Sequence, residues 1–263
     1  MSSPMACDVY VQFFNGMPAT RNLYDCHIGF RARGHRIIPF EAFDEGPEQS
    51  PTLKAITRED ILCAGIPIFR KVMAHLGVAY KPLETYPVEL RPFMGRSVRE
   101  TTLREVQREY GITTRPFFIK PIAQKLFTGF TVTDRRDMLK VVHIEPETPV
   151  YVTPVVEFMS ESRVYINRAN VYSYHGGVIG VHTYEGNPMI FPDPKAITRM
   201  INAYPFGPVA YALDVGVVRI GGKRKTVLVE VNDATSLGNY GLPSPTYADM
   251  LECRWRQIVG HPS

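Results

Sequence analysis

The sequence predicts a mixed α/β (α+β) protein, with an N-terminal α/β layer followed by a β-rich remainder. In the first third, segments typical of strands and helices alternate, which favours a layer built on a mostly parallel sheet. From Arg115 onward, short runs of β-branched and aromatic residues dominate. The composition, 44% apolar and 21% charged, is ordinary for a globular protein. A length of 263 residues allows one large domain or two modest ones.

The elements of the N-terminal layer follow from hydrophobic periodicity and from turn residues. Asn15-Gly16 is a turn signal that closes the first strand, and Gly77 ends the last helix of the layer. In order, the prediction is a strand at 8–14, a helix at 19–32, a strand at 36–40, a loop at 45–52, an apolar segment at 61–65 and a helix at 66–76.

The middle of the chain begins with a linker or surface crossover at 81–92, because this stretch carries three prolines. We expect a charged helix at 96–110 after it. The elements predicted beyond are strands at 116–120, 127–132, 150–156, 163–166 and 177–181, and a helix at 194–203.

A β-hairpin near the C-terminus is the most informative segment, with arms at 209–220 and 226–232 and a turn at 221–225. Alternation gives each arm an apolar odd-numbered face. The residues of that face are Val209, Tyr211, Leu213, Val215 and Val217, then Val227, Val229 and Val231. A turn centred near residue 222 or 223 brings Asp214 beside Glu230 and Asn232 on the opposite face. Oxygen ligands of this kind suit Mg²⁺, although a solvated polar face explains the hairpin alone equally well.

Charge and cysteine content argue against several classes of protein. The net charge is +4 and no polybasic tail is present, which argues against nucleic acid as the main partner. The four cysteines form no C-x-x-C pair, which argues against a zinc site or a disulfide framework and favours a reducing compartment. Because no signal pattern and no apolar run of about 18 residues occurs, we expect a cytoplasmic protein with no membrane role.

Three further segments carry groups that could bind a phosphate-bearing ligand. Lys120 ends an apolar strand, and Lys125 lies in the loop before the return strand. At 155–165 a strand ends in an acidic and aromatic connection and restarts with Arg163. A polar, glycine-containing stretch at 230–241 suits a loop that faces a second substrate. Taken alone, the first two segments are explained better as ordinary surface and as an inter-strand turn.

Together these segments resemble the ATP-grasp superfamily. The order is a strand with Lys-Pro, an acidic hinge, E-x-R-V, and a strand aspartate followed by E-x-N. More narrowly, Lys125-Leu-Phe-Thr-Gly-Phe130 and Leu228-Val-Glu-Val-Asn-Asp233 with Leu237-Gly-Asn-Tyr240 are similar to the clade named for an arginine-to-lysine replacement. The resemblance implies an ATP-grasp fold: a pre-ATP-grasp α/β domain at 1–92 and an ATP-grasp domain at 93–263. Two subdomains of the latter, about 93–160 and 161–263, would clasp the nucleotide.

The resemblance also implies roles for individual residues in nucleotide binding. Lys120 would contact the α- and β-phosphates, and Arg96 would stand where many members have their first nucleotide-binding lysine. Glu161 would contact the ribose. The adenine hinge would consist of Glu157, Phe158 and Met159.

In the same way, the resemblance places Mg²⁺, with Mn²⁺ as an alternative, on Asp214, Glu230 and Asn232. Arg163 would approach the transferred phosphoryl group, and Lys125 would cover the phosphates. Ser236, Asn239 and Tyr240 would meet the acceptor substrate, with Tyr184 as a weaker candidate. The chain departs from the family in two respects: residues 121–128 contain no glycine, and Ala stands at 212 where Arg-x-Asp is usual.

The function that the resemblance implies is an ATP- and Mg²⁺-dependent ligase. It would join a small-molecule or peptide carboxylate to an amine or thiol through an acyl phosphate, with release of ADP and phosphate. The alternatives are a kinase-like phosphoryl transferase on the same scaffold and a non-catalytic ATP-binding module. A homodimer is common among such proteins, and nothing in the sequence requires one.

Overall fold

The computed structural model describes residues 7–41, 46–109, 115–123, 126–170, 172–173 and 175–260. Within these ranges the strands form three four-stranded sheets. The mixed α/β content confirms the predicted fold class. None of the helices in these ranges is long and apolar enough to cross a membrane.

The first sheet and its helices form the N-terminal layer. Its central strand β1 pairs in parallel with β3 and β4, as the alternation of elements predicts, and only the short β2 is antiparallel. Thr20 caps α1 by accepting a hydrogen bond from the Leu23 backbone. The elements are β1 Asp8–Phe14, β2 Met17–Pro18, α1 Arg21–Ala32, β3 Arg36–Glu41, α2 Pro51–Lys54, β4 Ile61–Cys63 and α3 Ile66–His75.

The second sheet is antiparallel, in the order β5-β8-β6-β7. Its elements are β5 Arg99–Thr102, α4 Leu103–Glu109, β6 Phe117–Pro121, β7 Phe130–Val132 and β8 Pro149–Pro154, with 3-10 helices at Val88–Phe93 and Arg135–Val141. The helix predicted at 96–110 is wrong in its first half. Thr101 and Thr102 pair with β8 as a strand, so the helix begins only at Leu103. Sheet pairing here overrides the charged, helix-like pattern.

The third sheet is also antiparallel, in the order β10-β9-β11-β12. Its elements are β9 Ser160–Asn167, β10 Val178–Gly186, α5 Pro194–Asn202, β11 Ala210–Ile220, β12 Lys223–Asp233 and α6 Ser244–Val259. The helix α6 was not predicted. It packs along α1, and Gly29 marks the closest approach, because a Cβ atom there would lie 2.1 Å from the Ser244 carbonyl oxygen.

Three hydrophobic cores stabilise the described part of the molecule. The largest joins the N-terminal layer to α6 and to part of the third sheet. A second lies on the other face of the third sheet, beneath α5, and a third lies within the second sheet. The helix α6 therefore shares one core with strands that are more than half the chain away in sequence.

The hairpin of β11 and β12 differs from the prediction in its turn and in its register. The turn contains only Gly221 and Gly222, both with positive φ. A bulge then interrupts the pairing, so that Val215 faces Leu228 whereas Asp214 faces Glu230. Asp214 and Glu230 do lie side by side, as predicted.

The bulge also changes which residues of β12 face the apolar core. Leu228 is fully buried in the core under α5, together with Val231. The prediction that Val227 and Val229 share the face of Val231 is therefore wrong. Strict alternation fails at the bulge, because one extra residue reverses the sequence of faces.

Candidate functional site

A cavity of about 560 Å³ lies between the helices of the N-terminal layer, the second sheet and the third sheet. The second sheet contributes Lys120 and the loop before β7, and the third sheet contributes the acidic residues of the hairpin. Eight of the predicted site residues line the cavity, including the weaker candidate Tyr184. The other seven are Lys120, Arg163, Asp214, Glu230, Asn232, Ser236 and Tyr240.

Arg163 and Asp214 form a buried, bidentate ion pair at the base of the cavity. They are direct neighbours on β9 and β11. The Arg163 Nε and Nη2 atoms each donate to Asp214 over 2.7 Å, and Nη1 donates to the Gly238 carbonyl over 3.1 Å. Burial alone would lower the pKa of Arg163, but the hydrogen bonds and charge of Asp214 outweigh it and raise that pKa. The guanidinium at Asp214 thus comes from the neighbouring strand β9, and residue 212 on the same strand as Asp214 is Ala.

Glu230 and Asn232 lie beside this pair on β12. The Asn232 Nδ2 atom is 3.0 Å from the Asp214 Oδ2 atom and 3.2 Å from the Glu230 Oε1 atom, so one amide bridges both carboxylates. Lys120 forms an ion pair with Glu230 from the opposite wall. Burial alone would raise the pKa of Glu230, but the charge and hydrogen bond of Lys120 outweigh it and lower that pKa.

These donor groups fit Mg²⁺ bound together with phosphate. Within the described part of the chain, no group of three or more His, Cys, Asp and Glu side chains is placed to hold a metal ion. A cation here would therefore depend on two carboxylates, the Asn232 amide oxygen and oxygens from a ligand. Mg²⁺ typically takes one or two carboxylates and completes its shell with water and phosphate oxygens.

Two stacked tyrosines form a further wall of the cavity. The rings of Tyr184 and Tyr240 are 4.7 Å apart at 26°, and the Arg163 guanidinium lies 4.8 Å from the centre of the Tyr240 ring. The Tyr184 hydroxyl donates to Glu161 over 3.0 Å. Burial raises the pKa of Tyr184, so this hydroxyl keeps its proton at neutral pH. The two tyrosines therefore link Glu161, the predicted ribose contact, to the loop of Tyr240, which is predicted to meet the acceptor substrate.

None of the hinge residues 157–159 is among the described residues that line the cavity. The Met159 amide donates to the Val217 carbonyl over 2.8 Å. The Phe158 ring packs on Gly216, where a Cβ atom would lie 2.2 Å from the ring. Glu157 is exposed. Their role in adenine binding stays a prediction.

Arg96 is also outside the cavity lining. Its Nη1 and Nη2 atoms donate to the Leu228 and Val229 carbonyls, each over 3.0 Å. Its guanidinium carbon lies 6.0 Å from the centre of the Tyr86 ring and 5.9 Å from that of Phe158. Its predicted role in nucleotide binding is untested, and Lys125 lies outside the described residues.

The loop after β12 places Ser236 and Tyr240 on the cavity but turns Asn239 away from it. The Asn239 Nδ2 atom donates to Asp25 on α1 over 3.1 Å, and its Oδ1 atom accepts from the Leu242 amide over 2.9 Å. Asn239 therefore anchors the loop to the N-terminal layer. Its predicted contact with substrate stays a prediction.

Sequence reasoning missed a second buried ion pair, on the far side of the cavity. Asp233 lines the cavity and accepts from Arg254 of α6, over 2.6 Å from Nε and 2.9 Å from Nη2. The Tyr80 hydroxyl lies 3.1 Å from the same carboxylate. The sequence did offer one signal for Asp233, since it directly follows the predicted site residue Asn232. Asn22 and Thr85 also line the cavity, and only the tertiary structure reveals them.

A smaller cavity of about 300 Å³ adjoins this one at the carboxyl ends of β1 and β4. The two cavities share Asn22, Ser236 and two neighbouring loop residues. Because β3 and β4 pair on opposite sides of β1, this crevice lies at the switch point of the parallel sheet, where ligands of open α/β sheets bind. It offers space for a second substrate next to the acidic cluster.

Known proteins resemble this chain in sequence family and in fold. A family model of the ATP-grasp domain matches residues 93–250, and it describes family 2 of the clade named for an arginine-to-lysine replacement. No curated protein matches the chain.

Solved structures share the fold at low sequence identity. A RimK domain ATP-grasp protein from Sphaerobacter thermophilus DSM 20745 is 17% identical, with a TM-score of 0.53, over 97% of this chain and 98% of that one. N5-carboxyaminoimidazole synthetase from Staphylococcus aureus is 8% identical, with a TM-score of 0.60, over 97% and 78%. The D-alanine–D-alanine ligase from Bacillus anthracis complexed with ATP is 12% identical, with a TM-score of 0.54, over 98% and 99%. At these identities the likeness establishes the ATP-grasp fold.

Proposed function

The chain belongs to the ATP-grasp domains, in family 2 of the clade named for an arginine-to-lysine replacement, and on that premise we propose that it is an ATP- and Mg²⁺-dependent ligase. It would join a carboxylate to an amine or thiol. The observation that carries the proposal is the meeting of Lys120, Glu230, Asn232 and Asp214 in one cavity. Carboxylates react poorly with amines in water, and such a site can supply the missing leaving group from ATP.

The proposed reaction has two steps. A carboxylate oxygen attacks the γ-phosphorus of ATP, the bond to the β-phosphate oxygen breaks, and ADP leaves. The amine or thiol then attacks the acyl phosphate, loses its proton and displaces phosphate. Neither step needs a nucleophile from the protein.

We assign the phosphate end of the nucleotide to Lys120 and the acidic cluster. Mg²⁺ held by Asp214, Glu230 and Asn232 would neutralise charge on the phosphate oxygens. Lys120, now paired with Glu230, would turn to the α- and β-phosphates. Arg163 would hold Asp214 in place and present the remaining edge of its guanidinium to the transferred phosphoryl group.

We assign the base and the second substrate to opposite ends of the site. The hinge 157–159 would receive the adenine and Glu161 the ribose hydroxyls. Ser236, Tyr240 and the adjoining crevice at the N-terminal layer would receive the acceptor. In this proposal the N-terminal domain ends near residue 92. The subdomains that clasp the nucleotide are about 93–160 and 161–263.

The test is to incubate the protein with Mg²⁺, ATP and pools of carboxylates and amines. ADP release is followed, and the products are identified by mass spectrometry. We expect ADP together with a product that contains both organic substrates. The double variant Glu230→Gln, Asn232→Ala should lower turnover more than about 100-fold, since even outer-shell partners of metals contribute roughly 10–100-fold. The exposed Glu145→Gln is the matched control.

Three results would contradict the proposal. A product that gains only one phosphoryl group would identify a kinase-like transferase instead. ATP binding without ADP formation on any pool would identify a binding module. Normal turnover by the double variant would reject the assigned site.

A further inference from the structure

The side on which Glu230 lies is decided by the bulge in β12. The turn at Gly221 and Gly222 sets a register in which Val215 faces Leu228. If that register continued, Asp214 would face Val229, and Glu230 would point to the opposite side of the sheet. One extra residue before Glu230 restores the match, so that Glu230 faces Asp214 and Asn232 faces Ala212.

A bulge is a weak point in a sheet, because the extra residue leaves the ladder of hydrogen bonds incomplete. The carbonyl groups at this bulge are those of Leu228 and Val229. Both accept hydrogen bonds from the guanidinium of Arg96, each over 3.0 Å. The same guanidinium donates to the Met94 carbonyl over 3.3 Å.

The shape of the Arg96 side chain suits this contact. A guanidinium presents several donors in one rigid plane, whereas a lysine ammonium acts as a single point. The half-buried Arg96 has Tyr86 and Phe158 as aromatic neighbours. Two carbonyls from consecutive residues therefore meet two donors whose geometry is already set.

We propose that Arg96 is a positioning residue that stabilises the β12 bulge and thereby keeps Glu230 and Asn232 on the same face as Asp214. The inference rests on the proposed function in taking these residues as the Mg²⁺ site. It gives Arg96 a role through the protein backbone rather than through contact with phosphate.

The test compares Arg96→Lys and Arg96→Met with wild type in two measurements. Hydrogen exchange of the ligand-free protein should become at least about fivefold faster for amides in 226–232, because a lost bond to a charged group opens the bulge more often. Titration calorimetry of ADP with and without Mg²⁺ should show a loss of about tenfold in the Mg²⁺-dependent affinity. The affinity for ADP without metal should stay within about twofold.

The control is Arg91→Lys, the same substitution on the neighbouring 3-10 helix, where Arg91 donates to the Tyr86 carbonyl and pairs with Glu100. Unchanged exchange in both Arg96 variants would overturn the inference. An equal loss of ADP affinity with and without Mg²⁺ would also overturn it, since that result identifies Arg96 as a nucleotide contact.

Failure of the proposed function is recognised separately in the wild type. If wild-type protein binds ADP no better with Mg²⁺ than without it, the metal site assigned above is rejected. The exchange measurement still decides the role of Arg96 at the bulge, because it needs no ligand.

Discussion

Among the residues that the structure describes, each acidic side chain lining the cavity has its own cation, and these three pairs differ in kind. Asp214 and Asp233 are held by the buried arginines Arg163 and Arg254 in two-point contacts. Glu230 is held by Lys120, and both side chains of that pair are about one-fifth exposed. A buried arginine fork is costly to separate from its carboxylate, whereas a lysine on a flexible stem moves more freely. Lys120 is therefore the cation best suited to exchange a carboxylate for a phosphate.

The Lys120–Glu230 pair predicts an acid-dependent loss of stability. The pKa of Glu230 is lowered in the folded protein, so the pair stabilises above the usual pKa near 4.5 and loses that effect as the pH falls through the lowered value. Between about pH 6 and about pH 3, wild type should lose about 1 kcal/mol more stability than Lys120→Met. Urea unfolding at each pH measures this difference.

The control for this prediction is Lys54→Met, an exposed lysine on α2. Its unfolding free energy should follow the wild-type pH dependence. Parallel curves for wild type and Lys120→Met would show that the pair does not contribute in the folded protein.

At the scale of elements, the sequence predicts what depends on local pattern. The parallel layer, β11 and α5 follow from periodicity and turn residues and lie at nearly the predicted bounds, whereas β9, β10 and β12 are longer than predicted. The errors occur where distant partners decide. Strand β5 exists because it pairs with β8, and the bulge in β12 arises from the register of the whole hairpin.

The cavity residues divide in the same way into those set by local sequence pattern and those set by distant partners. Asp214, Glu230 and Asn232 could be brought together from the hairpin pattern, although the predicted turn was too long. Asn22 and Thr85 could not, because their place depends on how the N-terminal layer packs on the third sheet. A helix such as α6, whose buried residues are mixed with charged ones, gives no clear periodic signal.

The close approach of α1 and α6 predicts an unusual response to Gly29→Ala. Alanine normally stabilises a helix by about 1 kcal/mol relative to glycine. Here the new Cβ atom would lie 2.1 Å from the Ser244 carbonyl oxygen, so the helices must move apart. We expect a net loss of about 1–2 kcal/mol in the free energy of unfolding, measured with urea. The exposed Arg31→Ala on the same helix is the control, and a gain in stability by Gly29→Ala would contradict the packing.

At the scale of the whole molecule, the cavity is a product of assembly. Its lining comes from helices α1 and α3 of the N-terminal layer and from the second and third sheets, and α6 joins that layer to the third sheet through a shared core. The second sheet has a core of its own, and Tyr151 of β8 also joins it to the core of the third sheet. Lys120 belongs to that second sheet, whereas the three carboxylates belong to the third.

The separate cores predict unequal effects on Trp255, the one tryptophan of the chain. Trp255 lies in the large core, to which Leu53 of the distant α2 also belongs. Leu53→Ala should lower the free energy of unfolding by about 2–5 kcal/mol, as measured by tryptophan fluorescence in urea. Leu103 is equally buried but lies in the core of the second sheet, so Leu103→Ala should lower the free energy reported by Trp255 less. Equal shifts would show that the three cores unfold as one unit.

The two ends of the β11–β12 hairpin differ in how they tolerate a change of length. At the tip, a Cβ atom added to Gly221 or Gly222 would meet no other atom within 4 Å, so extra residues enlarge a solvent-exposed loop and leave the pairing intact. Near the acidic cluster, one residue inserted between Glu230 and Val231 would shift Asn232 by one place in the ladder and turn its side chain to the face of Tyr211, toward the apolar core under α5. The tip is therefore a suitable place to insert an affinity tag or a fluorescent label, about 20 Å of strand away from the acidic cluster.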